Sequence, residues 1–282
     1  MALSDLLARL PLGPARPTVS VLRLAGVIGT AVPLRGGLSG HDLAAPIERA
    51  FTGRGLVAVA LVINSPGGSP VQSALIHQRV RQLSAERKLP VLAFVEDVAA
   101  SGGYWLALAA DEIFVDPNSI VGSIGVITAG FGFDRAIERL GVQRRLYTAG
   151  ERKSLLDSFL PEREDDVARL KRLQADIHDN FKALVRERRG ARLKADDGEL
   201  FSGEFWLGRR ALELGLVDGV GELRSTLRAR FGERVRLRPI ATQRRTWRRR
   251  LGLVERAPWS ADLVGDLLAG LEERQHWTRF GL

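Results

Sequence analysis

The 282-residue chain contains no cysteine, which excludes disulfides, thiolate nucleophiles and cysteine-ligated zinc. Lysine is scarce as well: of 42 basic residues, five are Lys and 37 are Arg. Arginine cannot release its proton to act as a base and lysine can, so a lysine in an unusual setting carries weight. Only four histidines are present. No stretch approaches the roughly 20 apolar residues of a membrane-crossing helix. The N-terminal Met1-Ala-Leu-Ser-Asp-Leu-Leu-Ala-Arg-Leu-Pro-Leu12 is amphipathic, interrupted by Asp5, Arg9 and Pro11, and lacks the basic start and apolar core of a secretory signal. We expect a cytoplasmic chain with no transmembrane span or signal peptide, at most peripheral on the inner face of a membrane.

What is present is ordinary globular composition, 45% hydrophobic and 27% charged, with length enough for a substantial core. The net charge of +9 is uneven. From Val235 onward ten Arg face five Asp plus Glu, a net +5, so the preceding 234 residues carry +4. The basic excess belongs largely to the tail, which argues against nucleic acid as a partner of the body.

Along the chain, apolar runs alternate with helical periodicity. Residues 19–28, 56–63, 91–95, 112–115 and 142–148 read as strands, and Leu56-Val-Ala-Val-Ala-Leu-Val-Ile63 is apolar on both faces, as in a buried parallel strand. Helices are expected over 41–51, 71–84, 104–110, 133–140, 162–189, 209–214 and on to 231. The long one carries Val167, Leu170, Leu173, Ile177, Phe181, Leu184 and Val185 on one stripe. A serine and glycine turn, Asn118 to Ile127, leads to a further strand. This alternation predicts an α/β fold whose glycine turns lie at the C-terminal ends of parallel strands, where such folds place their sites. Three segments are expected: an N-terminal extension (1–18), a body (19–238) and a basic C-terminal extension (239–282) ending in an amphipathic helix, Ala261 to Trp277.

Two turns stand out. In Val98-Ala-Ala-Ser-Gly-Gly-Tyr-Trp105, a serine sits between alanines and paired glycines at a strand-to-helix turn, which presents its hydroxyl to a cleft beside helix N–H groups. In Asn64-Ser-Pro-Gly-Gly68, the glycines let backbone N–H groups point outward. Such donors form oxyanion holes worth about 3–4 kcal/mol each, although a plain tight turn has the same needs. A nucleophilic Ser101 requires a base. His41 and His77 precede it, His178 lies in the long helix and His276 in the tail, all better read as surface or packing residues. Lys153 lies in a loop, Gly150-Glu-Arg-Lys-Ser154, a place where lysines are usually plain surface residues.

Together these three motifs resemble the signal peptide peptidase A family, serine peptidase family S49 of the ClpP/crotonase-like superfamily. The 52-residue separation of Ser101 and Lys153 fits that family's serine–lysine dyad, and Gly122-Ser-Ile-Gly-Val126 and Gly208-Arg-Arg-Ala-Leu-Glu-Leu-Gly-Leu-Val-Asp218 are similar to its segments. The likeness runs from about Val19 to Leu227. It lacks the membrane anchor that many members carry before the domain. The resemblance implies a crotonase-like spiral of β-β-α units with a C-terminal helical extension. It implies Ser101 as nucleophile, Lys153 as general base, Gly68 and Gly102 as the oxyanion hole, and Ser123 or Thr128 orienting the amine. The base must be neutral, which burial or neighbouring cations such as Arg144, Arg145 and Arg152 favour. The resemblance further implies a homo-oligomeric ring or dome whose dyad draws on adjacent subunits, peptide substrates from cleaved signal peptides or membrane proteins, and no metal or other cofactor.

Rival readings fit less well. An enoyl-CoA hydratase-like enzyme needs a carboxylate after the glycines, where this chain has Trp105. A Clp-type protease needs a histidine about 25 residues after the serine, and none lies between His77 and His178. An inactive crotonase-fold scaffold would lose the serine or the lysine. The tail's Arg244-Arg245 and Arg248-Arg-Arg250, with Trp247, Trp259 and Trp277 near, suggest an anionic membrane surface or a neighbouring subunit.

Overall fold

The computed structural model describes residues 16–29, 31–32, 35–150, 152–242, 274 and 276–282. The N-terminal helix expected before residue 16, the arginine clusters and most of the helix expected over 261–277 lie outside the described residues.

Strands β1 (Thr18–Ala25), β4 (Leu56–Ser65), β5 (Val91–Ala100), β6 (Glu112–Val115), β9 (Gly219–Val220) and β10 (Arg236–Ile240) form a parallel sheet in the order β10-β1-β4-β5-β6-β9. A small hairpin, β2 (Ala31–Val32) and β3 (Arg35–Gly36), follows β1. Strand β7 (Ile120–Gly122) pairs in parallel with the last residues of β5 and antiparallel with β8 (Phe205–Leu207).

The apolar runs explain the layers. Alternate residues of β4 point to opposite faces. Leu61 and Ile63 pack with Leu43 and Ile47 of α1 (Gly40–Ala50) and with Ile76 and Val80 of α2 (Pro70–Arg87). Ala58 and Ala60 face the other side, where Leu227 of α8 (Leu223–Phe231) completes a second core. Ser39 accepts from the Asp42 N–H to cap α1, and Ser69 with Pro70 opens α2, the residue types that helix starts favour. The architecture is the α/β one expected.

Three local expectations are corrected. Strand β5 does not stop at Val95. It continues through Glu96 and Asp97, because Asn64 holds the far half: its Oδ1 accepts from the Val98 N–H at 3.3 Å and its Nδ2 donates to Asp97 at 2.6 Å. Residues 142–148 form no strand, and no edge among the described residues pairs with them; they lie in an exposed excursion over 125–161, which carries α4 (Asp134–Arg139). The long helix α5 (Glu164–Arg189) buries only its last third, at Phe181, Val185 and Arg189, while Leu173 is exposed. Its apolar stripe continues beyond the core that could cover it. Helices α6 (Asp197–Leu200) and α7 (Gly208–Glu213) close the edge beside β8.

Candidate active site

Strand β5 ends at Ala100, and α3 (Gly102–Ala107) starts one residue after Ser101. Ser101 therefore makes the whole reversal, with φ 52° and ψ −121°. Positive φ is unfavourable for a residue with a Cβ, and such outliers concentrate at functional sites. The backbone is pinned on both sides. The Ser101 N–H donates to the Gly122 carbonyl at 2.8 Å, and its carbonyl accepts from the Trp105 N–H at 3.0 Å. The hydroxyl makes no capping bond to the helix, so it is left for the cleft.

The Asn64–Gly68 turn lies against this reversal. A Cβ on Gly67 would come within 3 Å of the Ser101 Cβ, and one on Gly68 would drive into the Ile28 backbone. Both glycines also have positive φ, 109° and 139°, so no other residue fits either position comfortably. The Gly68 N–H makes no hydrogen bond among the described residues, whereas its neighbours are bonded: Gly67 N–H to Ser65 Oγ and Ser69 N–H to the Ile28 carbonyl. Gly102 is the first residue of α3, where N–H groups lack intrahelical acceptors. Ser101, Gly68 and Gly102 line one cleft of about 350 Å³.

The helix behind the serine is held rigidly. Trp105 stacks on Phe181 of α5 at 4.7 Å. The buried Tyr104 hydroxyl donates to the Leu216 carbonyl at 2.7 Å, and burial raises its pKa. Arg188 donates to the Leu108 and Ala110 carbonyls at 2.8 Å, and Arg189 to the Gly215 carbonyl at 2.8 Å and to Asp218 at 2.7 Å. Burial, the largest single influence, would raise the Asp218 pKa, but Arg189, the Ile113 N–H and Arg192 together outweigh it and the net direction is down. Beside this anchor, His77 of α2 is buried, and its Nε2 has no hydrogen-bond partner among the described residues. Burial, and then the Arg188 charge, lower its pKa to about 4.

The other sequence candidates lie elsewhere. Ser123 is buried just after β7 at φ 52°, its N–H donating to the Glu204 carbonyl at 2.7 Å. Thr128 is exposed and accepts from Gln174 at 3.1 Å. Lys153 is exposed in the 125–161 excursion, where its N–H donates to the Gly150 carbonyl at 3.2 Å. Neither Thr128 nor Lys153 lines the cleft that holds Ser101.

The sequence pattern of "Peptidase family S49" matches residues 84–234, more than half of the chain and the part that holds Ser101, Gly102 and Lys153. The chain belongs to peptidase family S49. A Synechocystis protein with a protease name is 32% identical over 236 residues, covering 80% of each chain. The S49 fold is also seen in a mutant of the 1510-N membrane-bound stomatin-specific protease in complex with a substrate peptide. That structure aligns with a TM-score of 0.53 at 18% identity, over 80% of this chain and 93% of its own.

A Brucella abortus protein named Na(+)/H(+) antiporter NhaA is 49% identical over 272 residues, 94% of this chain and 37% of that protein. The S49 chain thus spans little more than a third of that relative's length. Among the described residues no helix is long and apolar enough to cross a membrane.

Sequence reasoning missed part of the S49 cleft. Trp105 and Phe181 line it, and so do His276, Arg279 and Phe280 from the C-terminus. In the sequence His276 reads as a tail histidine, and nothing local points from the tail to Ser101.

Proposed function

We propose that this chain is a serine endopeptidase with a Ser101–Lys153 dyad, acting on apolar polypeptide such as cleaved signal peptides or membrane-protein fragments. The observation that carries the reading is Ser101 itself: a strained residue at a cleft, its hydroxyl making no capping bond to the helix it precedes, flanked by Gly68 and Gly102. In the reaction, Ser101 Oγ attacks the peptide carbonyl carbon and its proton passes to the neutral Lys153 amine. The Gly68 and Gly102 N–H groups hold the oxyanion. Collapse breaks the C–N bond, and the lysine returns the proton to the leaving amine. Water, deprotonated by the same amine, then cleaves the acyl-enzyme and restores the serine. The apolar walls at Ile28, Trp105, Val126 and Phe181 suit an apolar substrate.

Lys153 lies outside the cleft of its own chain, on an excursion with outward apolar side chains. We read it as serving Ser101 of a neighbouring subunit in a homo-oligomer, with Ser123 or Thr128 orienting the amine. The arginine-rich segment after residue 239 is read as a contact to an anionic membrane surface. Loss of co-sedimentation with anionic vesicles on removing residues 243–273 is the expected result.

The test of the activity is hydrolysis of a fluorogenic Leu- and Ala-rich peptide by wild type, Ser101→Ala and Lys153→Ala across pH 6–10. Wild type alone should be active, along a single basic limb. Equal activity in Lys153→Ala refutes the dyad, and equal activity in Ser101→Ala refutes the nucleophile.

A further inference from the structure

The C-terminal residues form part of the cleft wall. Phe280 is 8% exposed and packs with Val98 and Ala100 of β5, the residues leading directly to Ser101, both 0% exposed. It meets Phe205 of β8 edge-on at 5.2 Å, and Trp277 and Ile120 pack around it. The segment is folded on itself as well: the Phe280 and Leu282 N–H groups donate to the Trp277 carbonyl at 2.9 and 3.2 Å. The aromatic side chain therefore completes a small core on the strand that delivers the nucleophile. That anchor places His276 and Arg279 on the cleft lining. The remaining lining is apolar or small and neutral, so these two residues supply all the basic side chains that the described chain itself brings to the cleft.

We propose that the C-terminal segment is a specificity-determining wall, and that Arg279, with His276, selects peptide substrates carrying a carboxylate beside their apolar residues. This rests on the peptidase reading. The carboxylate has two sources, an acidic side chain or the free C-terminus of the peptide. A guanidinium offers a planar pair of donors that matches either one. The Arg279 and His276 side chains are both exposed to solvent, and one such contact to a charged group corresponds to about a tenfold preference.

The experiment uses the full chain and a Leu- and Ala-rich peptide in three forms: free C-terminus, amidated C-terminus, and amidated with Glu in place of Gln at successive positions. Binding is read by fluorescence anisotropy on Ser101→Ala, and kcat/KM on wild type. The expected result is about tenfold tighter binding and higher kcat/KM for a carboxylate-bearing form, lost in Arg279→Gln and weakened in His276→Gln. A preference confined to the free C-terminus assigns the site to the chain terminus; one for an internal Glu assigns it to a side chain.

Equal binding of all forms, or a preference unchanged in Arg279→Gln, overturns the proposal while leaving hydrolysis intact. A higher kcat/KM for every peptide after removal of residues 276–282 also overturns it, because the segment would then obstruct the cleft. Selective binding without any hydrolysis refutes the peptidase reading and leaves the recognition standing.

Discussion

Ser101 has a backbone that its side chain disfavours, and the surrounding bonds hold it there. The strain becomes measurable when the hydroxyl is removed in two ways. Ser101→Ala and Ser101→Gly both lose the hydroxyl, but glycine accepts φ 52° more readily than alanine does. We expect Ser101→Gly to be more stable than Ser101→Ala by about 1 kcal/mol in urea unfolding. Equal stability would mean that the turn is relaxed. Elsewhere at this scale, His77 makes folding sensitive to mild acid. Its pKa is about 4 in the fold, lowered by burial and by Arg188, against about 6.5 in an unfolded chain. The fold favours the neutral ring, so this stabilisation is complete above the unfolded value and is lost as pH falls from there toward 4. From pH 7 to pH 5 the loss is about 2 kcal/mol. Unfolding of wild type and His77→Gln at the two pH values checks it, and the variant should lose less by about that amount.

At the scale of elements, α5 fixes α3, which begins directly after Ser101, the proposed nucleophile. Phe181 is the apolar half of that joint, stacked on Trp105. Phe181→Ala should cost about 3–4 kcal/mol and lower kcat as α3 loosens, seen in parallel denaturation and peptide-hydrolysis assays. A stability loss below 1 kcal/mol would place the joint elsewhere. The polar half shows where sequence reading stops. The apolar runs of β4 and β5 and their two glycine turns were legible, because strand burial and turn geometry are written in adjacent residues. Arg188 and Arg189 were not: on a helix they look like solvated charges, yet they meet carbonyls of Leu108, Ala110 and Gly215, up to 80 residues away. For the same reason the stripe on α5 was visible, but not the fact that only its last third meets the core. The place of Phe280 against β5 was equally hidden, since its partners Val98 and Ala100 lie about 180 residues earlier in the chain.

The whole molecule shows an imbalance between its compact sheet and the 125–161 excursion. Within the excursion Phe133 stacks on Phe159 and Arg144 pairs with Asp157 at 2.9 Å. Ile127, Phe131, Leu140, Val142, Leu146 and Tyr147 nevertheless face outward. That is a high density of exposed large apolar side chains for one segment, and Lys153 lies on this same segment. If a second copy covers it, one protomer's lysine reaches the next protomer's Ser101, and the two dyad residues become separable between chains. Ser101→Ala and Lys153→Ala, each inactive alone, should then restore activity when unfolded together and refolded as a mixture. Random assembly in equal amounts leaves about a quarter of the sites with both native residues. Dilution of wild type should also lower its specific activity as the interface dissociates. A mixture as inactive as its components, with wild-type activity independent of dilution, would confine the dyad to a single chain. The excursion would then have to fold back onto its own cleft.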